Sequence, residues 1–267
     1  MSKVILSTDL NEEYLFFTPI TAFCWNYFGF TPIIYIVIND KVKSRNLSLV
    51  IKMLNTLKIN CKIFIVQNNS NFKDCTIAQT IRLFGWKNEN ENDYIVLGDI
   101  DMIPLNSFLN RDFDKLNVFG YDLTDRTQIP MCYVGMKKMF WENVIHSEKD
   151  KSEYDNVLLS LSKISSNSNS DDFEKYWYCD QIILTDSIQS FGENNFNFID
   201  RGKMNNGYAV KRVDRGNWNW DKNEEYMDSH LLRNPQKNFS QIYDLIDNYF
   251  KKDCSWMKEY YSEFYKQ

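Results

Sequence analysis

Short apolar runs alternate with longer amphipathic stretches through the first half of the chain. Val4–Thr8 predicts a brief strand, and the aromatic segment 13–28 has the length of a helix. Residues 32–38 read Pro-Ile-Ile-Tyr-Ile-Val-Ile, a continuous apolar run typical of strands buried on both faces. Leu47–Leu57 carries apolar side chains at helical intervals, Lys62–Val66 predicts a third strand, 74–84 a third helix and Tyr94–Gly98 a fourth strand. Strands that alternate with helices need crossover connections. The expected fold class is therefore α/β, a mostly parallel twisted sheet flanked by helices on both faces. Ligands of such sheets lie beyond the carboxyl ends of the strands, so chemistry is to be sought just after each strand.

The second half is less regular. Short strands are expected at 117–120 and 131–135, helices at 137–146 and 152–162, and a polar loop over Lys163–Asp172. A helix near 176–187 and short strands near 196–199 and 207–213 follow, and two aromatic-studded helices run from Ser240 onward. No internal repeat and no long linker divides the chain, so one domain over residues 1–267 is expected.

Composition narrows the function classes. With 19 Phe, 16 Tyr and 7 Trp in 267 residues, the chain can bury large surfaces, which excludes extended disorder. Net charge is 31 − 36 = −5, so no basic field exists to hold a nucleic acid, and none is expected as a partner. The small basic clusters, Lys41/Lys43/Arg45 and Lys211-Arg212, read as solvated loop charges. Six scattered cysteines form no C-x-x-C pair, which argues against a zinc knuckle or a dense disulfide framework. They suit small buried side chains in a reduced compartment. The apolar stretch Tyr14–Ile38 is interrupted by Pro19, Asn26, Gly29 and Pro32, and reads as helix then strand rather than a membrane span. No targeting segment is visible, and a soluble, cytoplasmic protein is expected.

The most informative segment is Asp99-Ile100-Asp101, which follows the apolar run Tyr94–Gly98. In extended backbone, positions i and i+2 point the same way, so both carboxylates could face one point. Paired carboxylates repel unless a cation lies between them, and hard divalent ions prefer oxygen ligands. A second such pair, Asp112 and Asp114, has no strand before it and reads as a solvated turn. Gln79 and Arg82 sit three apart on one edge of the third helix, where a forked guanidinium suits phosphate or carboxylate. Arg82 could equally form a surface pair. Asp180-Gln181 precedes a helical apolar run and could be an ordinary helix start. His230 is one of two histidines; it could be a ligand or a surface or capping residue, whereas His146 reads as structural. Trp218 and Trp220 could pack in a core or stack on sugar rings.

In order, these residues resemble nucleotide-sugar-dependent glycosyltransferases of the GT-A fold, including glycogenin-like and galactosyltransferase types. The resemblance covers about residues 3 to 235 and includes Met131–Trp141, similar to an acceptor-side strand, turn and helix. It implies a nucleotide-binding half over about 1–105, an acceptor-side half over about 106–235 and C-terminal helices over 236–267. It implies a divalent ion, Mn²⁺ or Mg²⁺, held by Asp99, Asp101 and His230. Ser7, Thr8 and Asp9 would meet the nucleoside, and Gln79, Arg82 and Asp99 the donor. Asp180 and Gln181 would lie at the anomeric carbon, with Asp180 a general base if the reaction inverts, or Asp180 or Gln181 stabilising an oxocarbenium-like centre if it retains. The glycine and Lys-Pro-Trp that follow the late histidine in glycogenin-type enzymes are replaced here by Leu231-Leu232-Arg233-Asn234-Pro235, leaving Arg233 as a diphosphate contact. The implied partners are a nucleotide-sugar donor, a UDP-sugar first, and a glycan or other hydroxyl acceptor. Two other functions share parts of the pattern: a non-catalytic nucleotide- or carbohydrate-binding module, and a phosphatase of the haloacid dehalogenase type.

Overall fold

The computed structural model describes residues 1–39, 44–107, 115–120, 129, 131–166, 178–191, 195–200 and 211–266. Strands β1 (Ser2–Thr8), β2 (Thr31–Ile38), β3 (Lys62–Gln67) and β4 (Tyr94–Gly98) alternate with helices α1 (Glu12–Tyr27), α2 (Arg45–Thr56) and α3 (Asp74–Ile81). Then come β5 (Met102–Pro104), β6 (Leu116–Gly120), β7 (Tyr133–Lys137), α4 (Lys138–Val144), α5 (Glu153–Ser166) and α6 (Cys179–Phe191). Strands β8 (Phe196–Asp200), β9 (Arg212–Val213) and β10 (Asp228–His230) lead to α7 (Pro235–Tyr249) and α8 (Trp256–Phe264).

A seven-stranded sheet has the order β3-β2-β1-β4-β7-β6-β8. Strands β1 to β4 and the β6–β8 pair run parallel, while β7 is antiparallel to both its neighbours. The mostly parallel expectation holds, and the reason lies in β2. Its Ile33, Tyr35 and Val37 pack into one apolar cluster with α3 to α6. Its Ile34 and Ile36 pack into another with α1, α2, α7 and α8. A strand covered on both faces needs no polar alternation, which is why its sequence is apolar throughout.

Strand order reverses beside β1, with β2 and β3 on one flank and β4 on the other. A crevice opens where such a reversal occurs, beyond the carboxyl ends of β1 and β4. Asp9 and Asp99 follow those two ends.

A second, three-stranded sheet of order β5-β10-β9 was not expected from the sequence. Its strands are two or three residues long, too short to show a periodic signal. Antiparallel register sets His230 opposite Met102, Ser229 opposite Ile103 and Asp228 opposite Pro104.

Several boundaries differ from expectation. Residues 163–166 of the expected polar loop belong to α5, while 167–172 lie outside the described residues, as do Lys41, Lys43, Asp112, Asp114 and 207–210. None of the six cysteines forms a disulfide, and Cys61 and Cys75 are only half-buried. Among the described residues, no helix is long and apolar enough to cross a membrane.

Candidate functional site

A cleft of about 960 Å³ lies over the β1–β4 reversal. Ser7, Thr8, Asp9, Gln79, Arg82, Asp99, Asp101, Asp180, Gln181, His230 and Arg233 all line it. Four elements and three loops, separated by up to 226 residues of sequence (233 − 7), deliver them to one place.

Ser7 and Thr8 end β1 and are buried, and Asp9 follows half-buried. Burial pushes the Asp9 carboxyl up, although the Asn11 amide donates to its Oδ1 at 3.0 Å. The Asn11 side chain in turn accepts the Glu13 amide and caps α1.

Asp99-Ile100-Asp101 is a turn rather than extended backbone, and this corrects the expectation that both carboxylates share one direction. The Met102 amide donates to the Asp99 carbonyl at 3.2 Å, closing a four-residue turn. Thr21 Oγ1 donates to the Ile100 carbonyl at 2.6 Å and the Leu231 amide to the Asp101 carbonyl at 2.8 Å, so the turn is pinned from both sides. The carboxylates face different partners.

Asp99 faces Arg82, the residue that closes α3, which is buried and not in a surface pair. The guanidinium uses all three nitrogens. Nε donates to the Gln79 carbonyl at 3.1 Å, Nη1 to the Gly98 carbonyl at 3.0 Å and to Asp99, and Nη2 to Asp180 at 2.7 Å. Burial works against this charge, but Asp99 and Asp180 hold its pKa above the ordinary guanidinium value. Burial also pushes both acids up. Arg82 outweighs it at Asp99, which lies below the usual carboxylate range, whereas Asp180 stays above it. Asp180 opens α6, and its Oδ1 accepts the Gln181 amide at 2.8 Å, so both its oxygens are engaged.

Asp101 faces the small sheet. Its Oδ2 lies 2.9 Å from Arg215 Nη1 and 3.3 Å from His230 Nε2. His230 Nδ1 is 3.8 Å from Asp214. Arg215 carries no local sequence signal, because only the β5-β10-β9 sheet brings it here. Arg212 overturns the reading of Lys211-Arg212 as a solvated doublet. It lies in the cleft wall with Nε 2.8 Å and Nη2 2.7 Å from the two oxygens of Asp228, which is fully buried. A bidentate fork of this kind needs a guanidinium, and the neighbouring Lys211 instead pairs with Glu224 at the surface.

Arg233 sits exposed at the rim, where Asn234 starts α7 in left-handed conformation (φ 52°) and donates its amide to Glu13 at 2.9 Å. Among the described residues Arg233 has no ion-pair partner. Gln79 Oε1 is buried with no hydrogen-bond partner there either. His146 is exposed beyond α4, away from the cleft. Trp218 and Trp220 are half-buried against the cluster that α7 and α8 share, with the Trp220 ring 6.0 Å from that of Tyr249.

Among the described residues no three His, Cys, Asp or Glu side chains converge tightly enough to cage a metal. The donor set nevertheless suits a hard divalent ion. A carboxylate oxygen and an imidazole nitrogen lie 3.3 Å apart: with its proton on Nε2 the neutral ring donates to the carboxylate, and in the other tautomer Nε2 offers a lone pair that a cation can share with the same oxygen.

No family model and no curated protein matches the chain. Solved structures do. The galactosyltransferase LgtC, in complex with donor and acceptor sugar analogues, overlaps at a TM-score of 0.52 with 12% identity, across 100% of this chain and 97% of its own. An active-site mutant of LgtC gives 0.52 with 11% identity, across 99% and 95%. A mannosyltransferase from Pyrobaculum calidifontis, solved with GDP-Man and Mn²⁺, gives 0.44 with 9% identity, across 99% and 69%. The chain has the α/β fold of the GT-A glycosyltransferases.

Proposed function

We propose that the cleft transfers a glycosyl group from a nucleotide-sugar donor to a hydroxyl acceptor, with Mn²⁺ or Mg²⁺ beside the donor's diphosphate. One observation supports this above the rest. Where an open α/β sheet binds ligands, four arginines, the Asp99–Asp101 turn and His230 line a single cavity, in a chain whose net charge is −5. Arg82, Arg212 and Arg215 are paired with carboxylates, and Arg233, exposed and without an ion pair among the described residues, is the forked cation that suits a diphosphate.

Ser7, Thr8 and Asp9 would hold the nucleoside at the end of β1. Arg233, exposed and without an ion pair among the described residues, would take the diphosphate. Gln79 would accept a donor-sugar hydroxyl on its buried, unpartnered Oε1. Asp99, Asp101 and His230 would hold the ion, which when bound neutralises the negative charge growing on the departing nucleoside diphosphate. Arg82 orients Asp99 and Asp180 through its fork. Asp180 is buried with both oxygens bonded, which supports an electrostatic role near the anomeric carbon over that of a general base. Gln181, beside it at the cleft wall, would bond the transferring sugar.

The test is donor turnover. The protein is incubated with UDP-, GDP- and dTDP-sugars plus Mn²⁺, and free nucleoside diphosphate is assayed. Release with one donor, lost on EDTA treatment and in Asp101→Ala, is the expected result. Phosphate release from simple monoesters would replace this reading with phosphatase chemistry, and donor binding without turnover would replace it with a binding module.

A further inference from the structure

The cleft's arginines differ in how tightly they are committed. Arg82 forks across two carboxylates and two carbonyls, and Arg212 is bidentate to a fully buried acid. Arg215 holds Asp101 through Nη1 alone, and among the described residues its other guanidinium nitrogens have no hydrogen-bond partner. Its side chain is 26% exposed, against 6% for Arg82 and 8% for Arg212. It lies in the turn after β9, beside the Asp214–Asn217 bridge. That turn is anchored by Asp214, whose Oδ1 accepts the Gly216 amide at 2.8 Å, so its backbone stays placed when the side chain moves.

The atom that Arg215 holds is the one nearest His230. Asp101 Oδ2 receives Nη1 at 2.9 Å and faces Nε2 at 3.3 Å. A divalent ion held between Asp101 and His230 would need this same oxygen. It would also lie close to the guanidinium, where two cations repel strongly in a partly dry cleft. Both cannot sit on the oxygen at full strength.

We propose that Arg215 is an exchangeable counter-ion of Asp101, which competes with the divalent ion for the carboxylate and passes to the donor's diphosphate when the ion binds. The second step rests on the glycosyl-transfer reading, whereas the competition for Asp101 does not. Ion and diphosphate binding are then coupled, since each favours the released position of the same side chain. Arg215 acts here as a positioning residue of the donor site.

The experiment is Mn²⁺ titration of the full chain without nucleotide, read by the electron paramagnetic resonance signal of free Mn²⁺, for wild type, Arg215→Met and Arg215→Gln. Both variants should bind Mn²⁺ roughly 10-fold more tightly than wild type. With Mn²⁺ saturating, their calorimetric affinity for UDP, GDP or dTDP, whichever wild type binds, should be weaker by a similar factor. Thermal melts near that of wild type establish that the variants are folded. Equal or weaker Mn²⁺ binding in both variants, or no binding by any of the three proteins, overturns the competition. Tighter Mn²⁺ binding with unchanged nucleotide affinity overturns the transfer to diphosphate. Failure of wild type to bind any of the three nucleotides with Mn²⁺ would sink the glycosyl-transfer reading itself, and the Mn²⁺ comparison would still decide the competition.

Discussion

Arg82 and Arg215 hold the two aspartates of one turn in opposite surroundings. Arg82 is buried at the end of α3, and each of its nitrogens is bonded. Arg215 is a quarter exposed on a turn after a two-residue strand and makes one hydrogen bond among the described residues. The same pair of residue types is part of the fold in the first case and, on the proposed reading, part of the ligand chemistry in the second. Burial decides which. Removing Arg82 strands charges that have no other cation beside them among the described residues, whereas Asp101, though itself buried, keeps His230 beside it and its partner Arg215 reaches solvent.

The sharpest way to break this comparison is at Arg82. Arg82→Met leaves Asp99 and Asp180 facing each other without a counter-charge and should cost about 3–5 kcal/mol of stability in urea melts. Arg82→Lys should recover little, because one ammonium cannot span both carboxylates and the Gly98 carbonyl. Asp228→Asn replaces one charge-assisted oxygen beneath Arg212 and should cost about 1–3 kcal/mol by the same measurement. A mobile Arg212 there, seen as a weaker Mn²⁺ affinity through a displaced His230, would mark β10 as the part of the site most dependent on burial.

A third prediction uses the opposite end of the sheet, where Lys3 on β1 meets Glu89 and Asp93 out of water. Burial pushes the Asp93 carboxyl up, but Lys3 and the Met1 amino group, 2.8 Å from Oδ1, together outweigh it and draw the pKa down to about 2. A depressed carboxylate contributes stability above its unfolded value, near 4, and loses it as pH falls toward 2. The urea midpoint should drop through that window in wild type, and Lys3→Met should flatten the drop. The smallest effect is expected at Arg215, where Arg215→Met should cost about 1–2 kcal/mol, since Asp101 is buried but keeps His230 beside it. A loss as large as that at Arg82 would erase the distinction between the two arginines.

What the sequence discloses follows the same division. Strands β1, β2 and β4 are central and covered on both faces, so they appear as unbroken apolar runs; α2 carries a one-sided apolar spacing, whereas α1 is buried nearly all round and shows only as an apolar segment of helical length. Residues delivered by these elements, Asp9, Arg82 and Asp99 among them, can be picked out by position at strand and helix ends. Strands β5, β9 and β10 are too short for any period to register, so Arg215 was not visible at all and Arg212 passed for a surface charge. The divergence of Asp99 from Asp101 was hidden for a related reason. A turn closed by one backbone hydrogen bond and pinned by Thr21 and Leu231, which lie 79 and 130 residues away from their acceptors, leaves no mark in Asp-Ile-Asp itself.

The central claim is that a divalent ion and a nucleoside diphosphate meet between the Asp99–Asp101 turn and β10. A crystal soaked with Mn²⁺ and the best-binding nucleotide, with anomalous scattering recorded for manganese, tests it most directly. The expected result is a single peak within bonding distance of Asp101 and His230, with the diphosphate against it and Arg215 turned off Asp101. A nucleotide bound elsewhere, or manganese that never touches residue 101 or 230, would contradict it.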